Sequence, residues 1–213
     1  RNPLVVLFVP RAGDDPRNDL QAWCTPAGVV SLVPRLGGLW KVGLPVDRNA
    51  LADWSAASPA ELSARLGALA PPLRDQPAEL AGIYPVRRVD VAHWSQDNVV
   101  LLGDACHAMH PGRSQGMNIS LKAAATLAGR LNSAPAPLAR APVPEILADY
   151  ARATRARFAP MLADNHQRGL AMDAPGAAAV DAMAEQLRAV ARDPRQRHAY
   201  AMGAAGYPVE DSQ

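Results

Sequence analysis

Apolar residues cluster in short β-branched runs over the first part of the chain and recur at helical spacing over the rest. Residues 3–9, Pro-Leu-Val-Val-Leu-Phe-Val, predict a strand, followed by a turn-rich stretch over 10–18. Residues 20–25, 29–33 and 39–44 predict three more strands. Pro26-Ala27-Gly28 and the segment 34–38 between them have turn composition, so the pattern is an antiparallel meander. Ser58-Pro59-Ala60-Glu61 combines an N-cap, an N1 proline and a capping box, and predicts a helix ending near Ala70, ahead of Pro71-Pro72. Residues 81–93 read as extended. The apolar run 98–102, Asn-Val-Val-Leu-Leu, predicts a buried strand, and a small-residue helix follows over 119–131.

Beyond it, residues 132–144 are rich in Pro and Ala and read as a linker or external loop. Residues 144–159 predict a helix with Ile146, Leu147, Tyr150 and Phe158 roughly on one stripe, continuing over 161–172. Residues 176–192 carry Val180, Met183, Leu187 and Val190 at helical spacing. The tail from Gly203 reads as disordered or loosely docked. The fold expected is α+β: an antiparallel sheet region with one helix over 1–93, a strand–helix region over 94–131, and a helical region over 132–213.

Composition narrows the function classes. The 213 residues are 49% hydrophobic and 20% charged, with a formal net charge of +2. That is ordinary for a globular protein and makes no case for nucleic acid as a partner. No apolar stretch reaches the roughly 18 residues that a membrane span needs. Cys24 and Cys106 are the only cysteines. They lie in different predicted elements with no metal spacing, so no metal site is assigned and a reducing cytoplasm is the expected compartment.

The most informative run is 103–118, Gly-Asp-Ala-Cys-His-Ala-Met-His-Pro-Gly-Arg-Ser-Gln-Gly-Met-Asn. A strand delivers the Asp104 carboxylate, which can accept hydrogen bonds from sugar-like hydroxyls. A Pro- and Gly-containing loop allows close backbone approach to a flat ring. The first amides of the next helix offer free donors and a partial positive charge. At Gly103, Asp104, Ala105, His107, Pro111, Gly116, Met117 and Asn118 the chain resembles the class A flavin-dependent aromatic hydroxylases, the group similar to para-hydroxybenzoate hydroxylase. Cys106 stands at an Ala position of that motif, Ser114 where Gly is common, and Ala123 where an acidic residue often follows.

The resemblance implies FAD as cofactor, with Gly103 and Asp104 at the ribityl chain. It places Pro111 through Gly116 against the isoalloxazine ring, and Met117 and Asn118 at its pyrimidine edge. It also implies NAD(P)H as co-substrate, O2 as oxidant, and a small aromatic or polyketide-like molecule as the compound hydroxylated. The antiparallel sheet is then the floor of the substrate pocket, with Arg35 and Trp40 as candidate substrate contacts; a turn arginine and a core tryptophan are the plainer alternative. The family needs few protein acids or bases, and no catalytic residue is assigned. His107 and His110 read as hydrogen-bonded structural histidines, with a base role at His110 as the alternative, and Cys106 reads as a small buried hydrophobe.

The family's opening Gly-x-Gly-x-x-Gly turn, which holds the FAD pyrophosphate, is absent, as is its middle Asp-Gly motif. The chain therefore reads as the C-terminal portion of such an enzyme. The strand–helix region should then be covered by self-association or by the missing N-terminal half. Two rival readings stay open: a truncated, non-catalytic small-molecule-binding or assembly module, and a flavin halogenase or reductase of the same fold.

Overall fold

The computed structural model describes residues 2–11, 18–134, 142–173 and 176–204. The turn expected over 10–18, the linker over 132–144 and the tail from 203 lie largely outside them. The described residues fall into two compact units, one within Arg1–Val86 and Leu170–Ala189, the other within Arg87–Gly169 and Val190–Gln213. The region 132–213, expected as one helical body, is shared between the two.

The first unit is a five-stranded antiparallel sheet with two helices packed on its apolar face. Its strands are β1 (Leu4–Pro10), β2 (Gln21–Thr25), β3 (Gly28–Arg35), β4 (Leu39–Pro45) and β5 (Glu79–Tyr84), in the order β2-β3-β4-β1-β5. The expected meander is β2 to β4, and β1 is inserted between β4 and β5. Val5 pairs with Leu44, Leu7 with Val42 and Val9 with Trp40. Directly opposed residues share a face, so one side of the sheet is continuously apolar. Val30 and Leu32 of β3 extend it. Against it lie Trp54 of α1 (Leu51–Ala56) and Leu62 and Leu66 of α2 (Pro59–Leu69), one turn apart.

The start of α2 follows from its first residues. Glu61 N–H donates to Ser58 Oγ at 3.4 Å, and Ser58 N–H donates to Glu61 Oε2 at 2.7 Å, with Pro59 at the first helical position. Two orphan donors are satisfied reciprocally. In the same unit Cys24 Sγ lies 3.3 Å from Met183 Sδ of α6 (Gly176–Arg192).

The second unit contains β6 (Ser95–Gln96), β7 (Val99–Val100), α3 (Asp104–His107), α4 (Gly116–Asn132), residues up to Gly169 of α5 (Val143–Asp173), and α7 (Pro194–Ala204). Ile119, Ala123 and Leu127 form one stripe of α4. With Trp94, Cys106, Leu147, Tyr150, Ala151 and Phe158 they make the core of this unit. The helix expected over 144–159 runs on through Pro160. That proline removes one intrahelical donor without ending the helix.

The buried strand expected over 98–102 is corrected. Only Val99 and Val100 are in strand, paired with Ser95 and Gln96, and Val99 is 62% exposed. A fully buried strand needs a partner on each side for its backbone groups. Among the described residues this one has a single two-residue partner. Leu101 N–H then donates to Trp94 O at 2.7 Å, closing a hairpin. No helix of the described residues is long and apolar enough to cross a membrane.

Replacing Ser58 by Ala removes the cap of α2 and should cost about 1 kcal/mol. A lower urea midpoint with an unchanged slope is the expected result.

Candidate functional site

The candidate loop lies wholly in the second unit. It begins at Gly103, whose φ of 59° and ψ of −137° fall in a region nearly closed to other residues. A Cβ there would come within 3.0 Å of Ser120 Oγ. Asp104 follows at the first position of α3, exposed to solvent. Cys106 and His107 N–H both donate to Gly103 O at 3.0 Å, closing the turn. The backbone of 88–91 runs alongside, with Val89 N–H donating to Ala108 O at 3.0 Å and Val91 N–H to Cys106 O at 3.2 Å.

The loop's middle is held by α5. Asn165 Oδ1 accepts from His110 N–H at 3.0 Å, and Asn165 Nδ2 donates to His110 O at 3.2 Å. One buried amide thus satisfies both backbone groups of a single loop residue. His110 Nδ1 accepts from Gly112 N–H at 3.1 Å and caps the 3-10 turn over Pro111–Arg113. Ser114 has φ 53° and ψ 27°, a left-handed conformation. That is the position where the related motif commonly has Gly, and here a serine carries the strain.

Gln115 then leads into α4 without a side-chain cap. The helix ladder opens with Ile119 N–H donating to Gln115 O at 3.0 Å, so the amides of Gly116, Met117 and Asn118 precede it. These are orphan donors at the positive end of a 17-residue helix. An exposed carboxylate on a glycine turn and an uncapped helix start, on one clamped loop, fit a cofactor with hydroxyls and an electron-rich edge. Met117, 72% exposed, leaves the helix start open.

Behind the loop the core is neutral. Burial pushes the Cys106 thiol up to about 11 and the Tyr150 phenol up to about 12. His107 is 1% exposed, its ring 5.2 Å from Trp94 and 6.1 Å from Phe158 by centroid. Burial holds its pKa below the usual histidine value; its backbone hydrogen bond and the Asp104 charge oppose this more weakly. The backbone hydrogen bond at the His107 ring is a weak one, since neither ring nitrogen meets a partner in full hydrogen-bonding geometry among the described residues. The ring is packed by aromatic neighbours on both sides instead. His110 does have the hydrogen-bonded ring expected of it.

Arg35 and Trp40 belong to the first unit, and the structure does not bring them together. Trp40 pairs with Pro34 and Arg35 with Leu39, so they point to opposite faces. Trp40 is 2% exposed in the core cluster, with the Arg11 guanidinium 4.8 Å from its ring centroid. It takes the core role that was its alternative. Arg35 is exposed at the end of β3. Asn165 was missed. Its one signal is a polar residue seven positions after Phe158, on the apolar stripe of α5.

The FAD binding domain family matches residues 40–165, and the chain belongs to that family. No curated protein matches it. Its fold is shared with HpxO of Klebsiella pneumoniae, solved with FAD and uric acid, at 17% identity and TM-score 0.66, over 98% of this chain and 54% of that one. PqsL of Pseudomonas aeruginosa, a probable FAD-dependent monooxygenase, matches at 21% identity and TM-score 0.60, over 81% of this chain and 49% of that one. The p-nitrophenol 4-monooxygenase PnpA of Pseudomonas putida DLL-E4 matches at 21% identity and TM-score 0.60, over 81% and 44%. The chain spans about half the length of these structures.

Two outcomes follow. Gly103→Ala should cost about 1–3 kcal/mol of stability through its backbone alone, seen as a lowered melting temperature. The pH profile should have two limits. His107 has a depressed folded pKa, so its neutral form favours folding above the ordinary value of 6.5, and that stability is lost as pH falls below it. Cys106 and Tyr150 have raised folded pKa values, so stability is full below 9.0 and falls as pH rises towards about 11 and about 12. Denaturant midpoints measured against pH should show this plateau, and His107→Leu should flatten its acid side.

Proposed function

We propose that this chain forms the substrate-sheet and ribityl-holding part of an FAD-dependent monooxygenase. The enzyme would use NAD(P)H and O2 to hydroxylate a small aromatic molecule. The observation that carries the reading is the exposed Asp104 carboxylate on the Gly103 turn beside the uncapped start of α4, in a chain of the FAD binding domain family.

FAD, when bound, supplies the redox and oxygen-activating chemistry. The protein's part is to hold, orient and polarise. Asp104 would accept hydrogen bonds from the ribityl hydroxyls. The amides at Gly116, Met117 and Asn118 would stabilise negative charge on the flavin's electron-rich edge, an electrostatic contribution that needs no proton transfer. Pro111 through Gly116 is the stretch assigned to the ring. Gly103 would shape the turn that brings Asp104 to the ribityl chain. No acid or base is required of this loop, in agreement with His110 being engaged by Gly112 N–H.

On the sheet, Arg35 is the residue offered for a carboxylate or phenolate oxygen of the substrate. Val99, Met117 and Leu121, at 62%, 72% and 62% exposure, support a covering surface in the working enzyme, from further polypeptide or a second copy. The free cysteines Cys24 and Cys106 support a reducing, cytoplasmic setting.

Titration of the chain with FAD should quench flavin fluorescence and shift its visible spectrum. Asp104→Ala should weaken that binding about 10- to 100-fold, the range for losing a hydrogen bond to a charged group. A spectrum that excess FAD leaves unaltered, or equal binding by the variant, would remove Asp104 from the assignment.

A further inference from the structure

A groove of about 730 Å³ lies within the second unit, between α5 and residues 88–95. None of residues 103–118 lines it. Its volume is that of a small-molecule site, roughly 300–1,000 Å³. The floor is apolar: Ala148, Ala151, Ala159, Leu162 and Ala163 present short side chains from one face of α5.

The charged lining is one-sided. Arg88, Arg152 and Arg155 supply three guanidiniums, and Asp90 is the one carboxylate of that lining among the described residues. The cations come from both walls, Arg88 from the segment 88–95 and the other two from α5. Asp90 Oδ2 accepts from Arg88 at 2.9 Å, whereas its Oδ1 lies 4.0 Å from Arg155, beyond hydrogen-bonding distance. Arg152 is bonded at 2.7 Å to Asp149, outside the lining. One carboxylate is therefore strung between two guanidiniums of opposite walls and bonds only one of them.

Arginines scattered over a convex surface are solvated, and a single exposed pair contributes little. These converge on a concavity with an apolar floor, where the field of like charges is focused. The planar fork of a guanidinium matches a carboxylate or a phosphate. Asp90 marks where such a group sits, and Arg155 is the donor that Asp90 does not satisfy.

We propose that this groove binds an amphiphilic anion, with a carboxylate or phosphate head between Arg88 and Arg155 and an apolar body along Ala159, Leu162 and Ala163. From Arg155 to Ala163 the helix rises about 12 Å, enough for a body of medium length. The segment that carries Arg88 and Asp90 also donates Val89 N–H and Val91 N–H to the candidate loop, at Ala108 and Cys106. An occupant joining that segment to α5 braces the back of the loop. Binding itself is independent of flavin.

Calorimetric titration of the chain with sodium octanoate, 2-naphthoate, octanol and inorganic phosphate tests the site. Octanoate or 2-naphthoate should bind with a Kd of about 1 mM or tighter, and the tighter of the two shows whether the body is aliphatic or aromatic. Octanol, which lacks the charge, and phosphate, which lacks the body, should each bind at least about tenfold more weakly. Arg155→Gln should weaken the anion about 5- to 10-fold, and Arg155→Lys less, because the charge is kept and only the fork is lost. Ala159→Leu fills the floor without touching a charge and should weaken it about tenfold. Both positions are exposed on α5, so the melting temperature should stay level. Octanol or phosphate binding as tightly as the amphiphilic anions, neither anion binding, or affinities that Arg155→Gln and Ala159→Leu leave unaltered would overturn the site. No readout involves FAD, so a failure of flavin binding leaves this test intact.

Discussion

A loop that leaves one side open to a ligand must find its backbone partners on the other side, and here Asn165 meets that need. Its amide bonds both the N–H and the C=O of His110, in the middle of the run between Gly103 and Gly116. Without such a partner two buried backbone groups would be orphaned, and the loop could not stay ordered away from regular structure. The clamp fixes where α4 begins. It therefore fixes where the free amides of Gly116, Met117 and Asn118 are presented. The aromatic packing of His107 between Trp94 and Phe158 holds the earlier part of the loop to the same helix.

The two units solve their packing problems differently. In the first, the register of β1 against β4 puts Val5, Leu7 and Val9 opposite Leu44, Val42 and Trp40, and the capped helix α2 closes over that face. That core is almost wholly aliphatic and aromatic. In the second, polar groups are drawn into the core: Cys106, His107, Tyr150, Thr154 and Asn165 are all buried. Each lies on α3 or α5, the elements that flank the candidate loop. Such groups specify one arrangement more narrowly than aliphatic packing does, and an arrangement is what a cofactor loop has to keep.

Much of this was legible from the residues. Four strands of the first unit, the capping box at Ser58 and the helix after Gly116 follow from local pattern, because their hydrogen bonds close within the element or with a neighbour in sequence. The candidate loop was legible from its run of glycines, Asp104 and Pro111. What stayed hidden depends on distant partners. The insertion of β1 between β4 and β5 is a choice of neighbour that alternation does not encode. Strand alternation equally leaves open which face is inside, and so Trp40 was open between pocket and core. The run 98–102 has the composition of a buried strand but lacks the partners to be one. Asn165 lies 55 residues from the loop it holds, and only its polar place on the apolar stripe of α5 marks it.

The location of the site is written in backbone conformation more than in reactive side chains. Gly103 and Ser114 both have positive φ, and they bracket the part of the loop held by Asn165 and His110. At Gly103 the residue type removes the cost. At Ser114 it does not, and a left-handed serine persists only where its surroundings over-determine it. Its N–H is bound to Pro111 O at 2.9 Å, and the clamp on His110 sits one residue before that turn. The strain is therefore carried by the same contacts that order the loop. Chemistry that relies on a bound cofactor asks for this kind of investment: donors and a carboxylate held in fixed places, with protonatable groups such as His107 and Cys106 kept neutral and out of reach behind them.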